Sequence, residues 1–199
     1  LPNGLAELRG LVAATHLANT GVAVDADTNV LITAGNMQGM NSLFRTLLDP
    51  GDEVVVTDPG FTSHLQQIRL NGGKPVSWPL DEDAGWRLDL AGLEGLITPR
   101  TKAVVLVNPC NPTGTVFSKS ELLEFARIVA AHELVIVIDD PYSEFTYEQR
   151  AAFFNLASDA RLSERLAYLF TFSKVHAMSG WRLGYMIAPE WLLSGVLKV

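Results

Sequence analysis

Residues 103–140 read AVVLVNPCNPTGTVFSKSELLEFARIVAAHELVIVIDD. Two unbroken aliphatic runs, Ala103–Val107 and Val135–Ile138, flank a segment from Lys119 to Ala131 with helical spacing of its apolar residues. Unbroken Val, Ile and Leu runs, unlike alternating ones, mark strands buried on both faces. A helix between two such strands is a crossover connection, and a crossover makes the strands parallel. The unit predicts an α/β layer fold and excludes a sandwich or a bundle.

The same alternation continues in both directions. Toward the N-terminus, Asn29–Thr33, Glu53–Thr57 and Lys74–Trp78 read as strands. Leu5–Leu17, Met37–Leu48, Thr62–Leu70 and Leu88–Leu96 read as helices. Asp49-Pro50-Gly51, Asp58-Pro59-Gly60 and Asn71-Gly72-Gly73 punctuate them. Toward the C-terminus, strands Leu166–Thr171 and Leu183–Ala188 are joined by a short polar, glycine-containing segment with no crossover helix, which predicts an antiparallel return. The expected architecture is a three-layer α/β/α fold around a mostly parallel sheet of about seven strands, one of them antiparallel.

Composition narrows the function classes. The 199 residues are 48% hydrophobic and 19% charged, ordinary for a globular domain and unlike a disordered, collagenous or coiled-coil chain. The formal charge of −7 argues against a nucleic-acid binder or an anionic-membrane binder, while a local basic site stays compatible with it. A single Cys excludes an intrachain disulfide framework and a Cys-rich zinc module and points to a reducing, cytoplasmic setting. The chain has no apolar run of about 18 residues, so no membrane span is expected. The four His and one Cys have no metal-ligand spacing, and a GxGxxG dinucleotide fingerprint is absent.

In open α/β sheets, ligands bind outside the carboxyl ends of the strands. The segments after the strands are Ala34-Gly35-Asn36-Met37, Asp58-Pro59-Gly60-Phe61, Asn108-Pro109-Cys110-Asn111-Pro112-Thr113-Gly114, Asp139-Asp140-Pro141-Tyr142 and Thr171-Phe172-Ser173-Lys174. Polar and special-backbone residues thus collect at one end of the sheet. Asn111-Pro112-Thr113-Gly114, Asp139-x-x-Tyr142, and Ser173-Lys174 with Arg182 eight residues on and Gly184 after it together resemble the pyridoxal-phosphate-dependent class I/II aminotransferases, of the aspartate aminotransferase fold. Leu48-Asp49-Pro50-Gly51-Asp52-Glu53-Val54 and Leu5-Ala6-Glu7-Leu8-Arg9 extend the similarity over essentially the whole chain.

The resemblance implies roles residue by residue. Lys174 forms the Schiff base with the aldehyde of pyridoxal 5′-phosphate, on a turn after an apolar strand where the amine is expected to be desolvated. Asp139 pairs with the pyridine nitrogen; Tyr142, three residues on, selects it over its neighbour Asp140. Tyr142 and Asn111 hydrogen-bond the phenolic oxygen. Gly35, Asn36 and Met37 open a helix whose free N–H groups suit a phosphate. Thr171 and Arg182 complete the phosphate ligands, although the family usually has Ser or Gly at the position of Thr171. Phe61 stacks on the ring. His64, one helical turn on, is within reach of the site but is expected first to be a structural histidine; Cys110, in the asparagine loop near the cofactor, has no assigned role.

The resemblance further implies a homodimeric aminotransferase acting on amino-acid and 2-oxo-acid substrates. The chain would be most of its cofactor-binding large domain, with an N-terminal arm and a C-terminal small domain lying outside it and the isolated piece poor in turnover. A lyase or synthase of the same fold, and the aminotransferase-like sensor domain of a transcription regulator, are the alternatives.

Overall fold

The computed structural model describes residues 2–147 and 153–199. In chain order the elements are α1 (Ala6–Thr20), β1 (Val30–Thr33), α2 (Asn36–Leu47), β2 (Glu53–Asp58), α3 (Thr62–Leu70), β3 (Lys74–Asp81), β4 (Arg87–Leu88) and α4 (Leu90–Leu96). They continue with β5 (Thr101–Val107), α5 (Lys119–Ala131), β6 (Val135–Asp140), β7 (Leu166–Thr171), α6 (Phe172–Val175), β8 (Gly184–Ile187) and α7 (Glu190–Val196). Among the described residues the strands form one sheet in the order β1-β8-β7-β6-β5-β2-β3-β4.

Strands β3, β2, β5, β6 and β7 pair in parallel. β8 is antiparallel to both β7 and β1, as its short connection to β7 predicts. The sheet has 8 strands, not about seven. The extra strand is β4, which pairs antiparallel with β3 through Leu80 opposite Leu88 and Asp81 opposite Arg87. Two residues carry no period, so the sequence pattern at Leu88 reads as the start of a helix. The helix begins instead at Leu90, where the Asp89 side chain accepts from the Gly92 N–H at 3.0 Å and caps it.

The continuous aliphatic runs are buried on both faces. Ala103, Val105, Val135 and Val137 face a core shared with Met40, Leu43 and Phe44 of α2, Ile68 of α3 and Leu192 of α7. Val104, Leu106, Ile136 and Ile138 face the opposite core, with Val12 of α1, Leu93 of α4 and Leu122 and Phe125 of α5. Each fully buried Leu or Phe in these layers contributes on the order of 2 kcal/mol. α5 starts at a capping box: Ser118 accepts from the Glu121 N–H, and Glu121 accepts from the Ser118 N–H at 2.9 Å. Trp78 on β3 is fully buried, stacks on Phe125 at 5.8 Å, and donates its ring N–H to the Asp89 carbonyl at 2.8 Å.

Strand alternation decides which polar residues meet. Leu31, Val137 and Leu169 point to the α2 face, so Thr33, Asp139 and Thr171, two residues further along their strands, point there as well. No helix among the described residues is long and apolar enough to cross a membrane.

Candidate active site

The carboxyl ends of β1, β2, β5, β6 and β7, together with the start of β8, converge on a cavity of about 240 Å³. Asn36, Met37, Phe61, Asn111, Asp139, Tyr142, Thr171, Lys174 and Arg182 all line it. Gly35, the remaining residue expected there, lies against the Arg182 guanidinium. A larger groove of about 760 Å³, bordered by α1, Tyr168 and Phe172, contains none of Asp139, Lys174 or Arg182, so the strand-end cavity is the candidate site.

One end of the cavity suits an anion. Gly35 caps α2 with φ +75°, in the left-handed region. A side chain there would collide with the guanidinium of Arg182, so the bare glycine lets the arginine lie against the helix start. Arg182 itself has φ +52° and donates from Nη1 to the Ser179 carbonyl at 2.9 Å. The first N–H groups of a helix have no carbonyl partner one turn back, and the helix dipole adds partial positive charge there. Gln67 Nε2 donates to the Met37 carbonyl at 3.0 Å, tying this first turn to α3. Thr171 Oγ1 accepts from the Ser173 N–H at 3.2 Å and caps α6, leaving its hydroxyl proton to donate. Ser173 Oγ, on the cavity wall, is buried without a partner among the described residues. A glycine cradle, a guanidinium, free N–H groups and an orphaned hydroxyl are donors of the kind a phosphate monoester requires.

The other feature is a buried carboxylate. Asp139 is 5% exposed. Its Oδ1 accepts from Asn36 Nδ2 at 2.7 Å, and its Oδ2 lies 3.0 Å from His64 Nε2. Phe61 stands edge-on to the His64 ring at 5.3 Å. The neighbouring Asp140 belongs to the opposite face. It accepts from the Tyr168 hydroxyl at 2.5 Å and from the Ser143 N–H at 2.9 Å. Burial pushes its carboxyl up to about 6, the hydrogen bonds from Tyr168 and Ser143 holding it back and the charge of Asp139 adding to the rise.

Two expectations change. His64 is a cavity residue bonded to Asp139, not a purely structural histidine. Phe61 caps α3 and His64 lies in its first turn, so their closeness in sequence was the signal that could have placed it. Lys174, on the four-residue helix α6, lines the cavity but is exposed, not desolvated. Cys110 is buried, and the turn it occupies closes through its N–H to the Thr115 carbonyl at 2.8 Å.

A family model described as aminotransferase class I and II matches residues 2–199. The chain is 37% identical to aromatic-amino-acid aminotransferase 2 of Thermococcus litoralis, over 99% of this chain and 51% of that protein. It is 34% identical to an aspartate aminotransferase of Pyrococcus abyssi, again over 99% of this chain and 51% of the relative. Among solved structures, the aromatic aminotransferase from Pyrococcus horikoshii OT3 superposes with a TM-score of 0.94 at 35% identity, covering 98% of this chain and 52% of that one. The chain therefore spans about half the length of the relatives it matches.

Proposed function

Because this chain belongs to the class I and II aminotransferase family, we propose that it is the cofactor-binding large domain of a pyridoxal 5′-phosphate-dependent aminotransferase. The observation that carries the reading is the meeting, in one cavity, of a buried carboxylate, an exposed lysine and an arginine folded against a helix start. We further propose a homodimer of the longer polypeptide, in the cytoplasm, acting on an amino acid and a 2-oxo acid.

When bound, the cofactor supplies an electron sink for the pair left behind when the substrate loses its α-proton. Arg182, Thr171 and the N–H groups at the start of α2 bind the phosphate. Asp139 holds a proton on the pyridine nitrogen, and its own position is held by Asn36 and His64. Asn111 and Tyr142 are the donors for the phenolic oxygen, and Phe61 offers its ring face. Lys174 would hold the cofactor at its aldehyde, and its amine would move the proton at the substrate α-carbon.

The test uses the polypeptide that carries this chain, loaded with pyridoxal 5′-phosphate and offered ¹⁵N-labelled aspartate or phenylalanine with 2-oxoglutarate. The reading expects label in glutamate and loss of both label and turnover in Lys174→Ala. Release of ammonia or elimination products without labelled glutamate would favour the lyase alternative. Cofactor binding with no turnover of any amino acid would favour the sensor.

A further inference from the structure

Asn36 stands at the first position of α2, immediately after Gly35. Its backbone N–H belongs to the anion-binding end of the cavity. Its side chain turns the other way, toward β6, and Nδ2 donates to Asp139 Oδ1 at 2.7 Å. The amide orientation follows from chemistry, since only the nitrogen can face a carboxylate. The amide oxygen then points toward β8 and is buried without a partner among the described residues.

Space for that oxygen comes from Gly184. A Cβ on Gly184 would stand 3.0 Å from Asn36 Oδ1, 3.1 Å from Thr33 Oγ1 and 2.8 Å from the Phe170 carbonyl. The asparagine is thus wedged between a bare glycine and the carboxylate. Leaving an amide oxygen orphaned is costly. What the residue gains is the charge-assisted bond to Asp139, which with His64 on the other oxygen sets the carboxylate plane from two different helices.

Resting on the cofactor assignment above, we propose that Asn36 is a positioning residue that links the phosphate cup to the ring-nitrogen acid: its backbone serves the phosphate while its side chain aims Asp139 at the pyridine nitrogen. Lys, Arg or Gln would reach past the carboxylate, and Ala would leave Oδ1 free to turn away. The link makes a specific demand. Removing the Asn36 side chain weakens recognition of the ring nitrogen and spares the phosphate.

The experiment measures dissociation constants of the full-length polypeptide for three probes: pyridoxal 5′-phosphate, its 1-deaza analogue with a ring CH in place of nitrogen, and inorganic phosphate. Asn36→Ala is expected to weaken the natural cofactor about tenfold, and the deaza analogue and phosphate less than about twofold. Asn36→Leu, which keeps about the same side-chain volume but removes the donor to Asp139, is expected to show the same selective loss, and it keeps the test open should Asn36→Ala fold poorly. Equal losses for the cofactor and its deaza analogue, or no loss for either, would overturn the inference while leaving the cofactor assignment standing. Unmodified protein that bound the two cofactors equally well would overturn the role of Asp139 itself, and this inference with it.

Discussion

Asp139 and Asp140 are adjacent on β6, and their carboxylates serve opposite faces of the sheet. Asp139 meets Asn36 and His64 in the candidate site, while Asp140 is locked to Tyr168 and Ser143 on the other side. The pleat separates them: Asp139 continues the Val135–Val137 face and Asp140 the Ile136–Ile138 face. A motif of two consecutive acids thereby splits into one acid that lines the candidate site and one that is tied into the fold.

The split has a pH signature. Asp140 is raised from 3.8 to about 6 in the folded chain, so the native state binds more protons than the unfolded state between those values. Its contribution to stability is fully present below about pH 3.8 and is lost as pH rises through about 6. The loss is on the order of 3 kcal/mol. Denaturant titrations of the parent and Asp140→Asn from pH 3.5 to 7 are expected to show the parent falling relative to the variant. Curves that stay parallel across that window would refute the assignment.

Gly35→Ala tests the anion end. The new methyl meets the Arg182 guanidinium and sits at φ +75°. Backbone strain should cost about 1 kcal/mol in thermal unfolding. Phosphate affinity, measured by calorimetry, should fall more than about tenfold, because the arginine loses its seat. An unchanged affinity would place the phosphate elsewhere.

Phe61→Ala should weaken cofactor binding by about 1 kcal/mol, the value of an aromatic contact, while Phe61→Trp retains it. Spectrophotometric titration with pyridoxal 5′-phosphate reads both. Equal affinities for the Ala and Trp variants would reduce Phe61 to a loop anchor.

Changes to the scaffold should separate from changes to the site. Trp78→Ala removes a fully buried ring stacked on Phe125 and should cost about 3–5 kcal/mol. Ser118→Ala breaks the α5 capping box and should cost about 1 kcal/mol. Neither residue lines the strand-end cavity, so cofactor affinity of the folded variants should match the parent. A Ser118→Ala protein with normal stability would show that Glu121, also bonded to Arg87, holds the helix start without it.

Much of this was legible because it rests on local chemistry. The aliphatic runs at Ala103–Val107 and Val135–Ile138 announced buried parallel strands, the strand-end rule pointed to the segments that follow them, and the family resemblance picked Asn111, Asp139, Thr171 and Lys174 out of those segments. What stayed hidden depends on contacts between distant elements. Asn36 and Asp139 are separated by 103 positions, and no periodicity links them. Gly184 read as one more motif glycine until the Asn36 and Thr33 oxygens beside it showed why a methyl is excluded. β4 is too short to carry a pattern, and its partner β3 alone reveals it. The exposure of Lys174 depends on what packs over α6, which a one-dimensional pattern does not record.

The account stands most directly on the covalent identity of one lysine. The polypeptide carrying this chain, incubated with pyridoxal 5′-phosphate, reduced with borohydride and digested, should yield the pyridoxyl mass on the peptide containing Lys174, and Lys174→Ala should abolish it. The same adduct on Lys102 or Lys119 instead, or undiminished labelling in the Lys174→Ala protein, would contradict it.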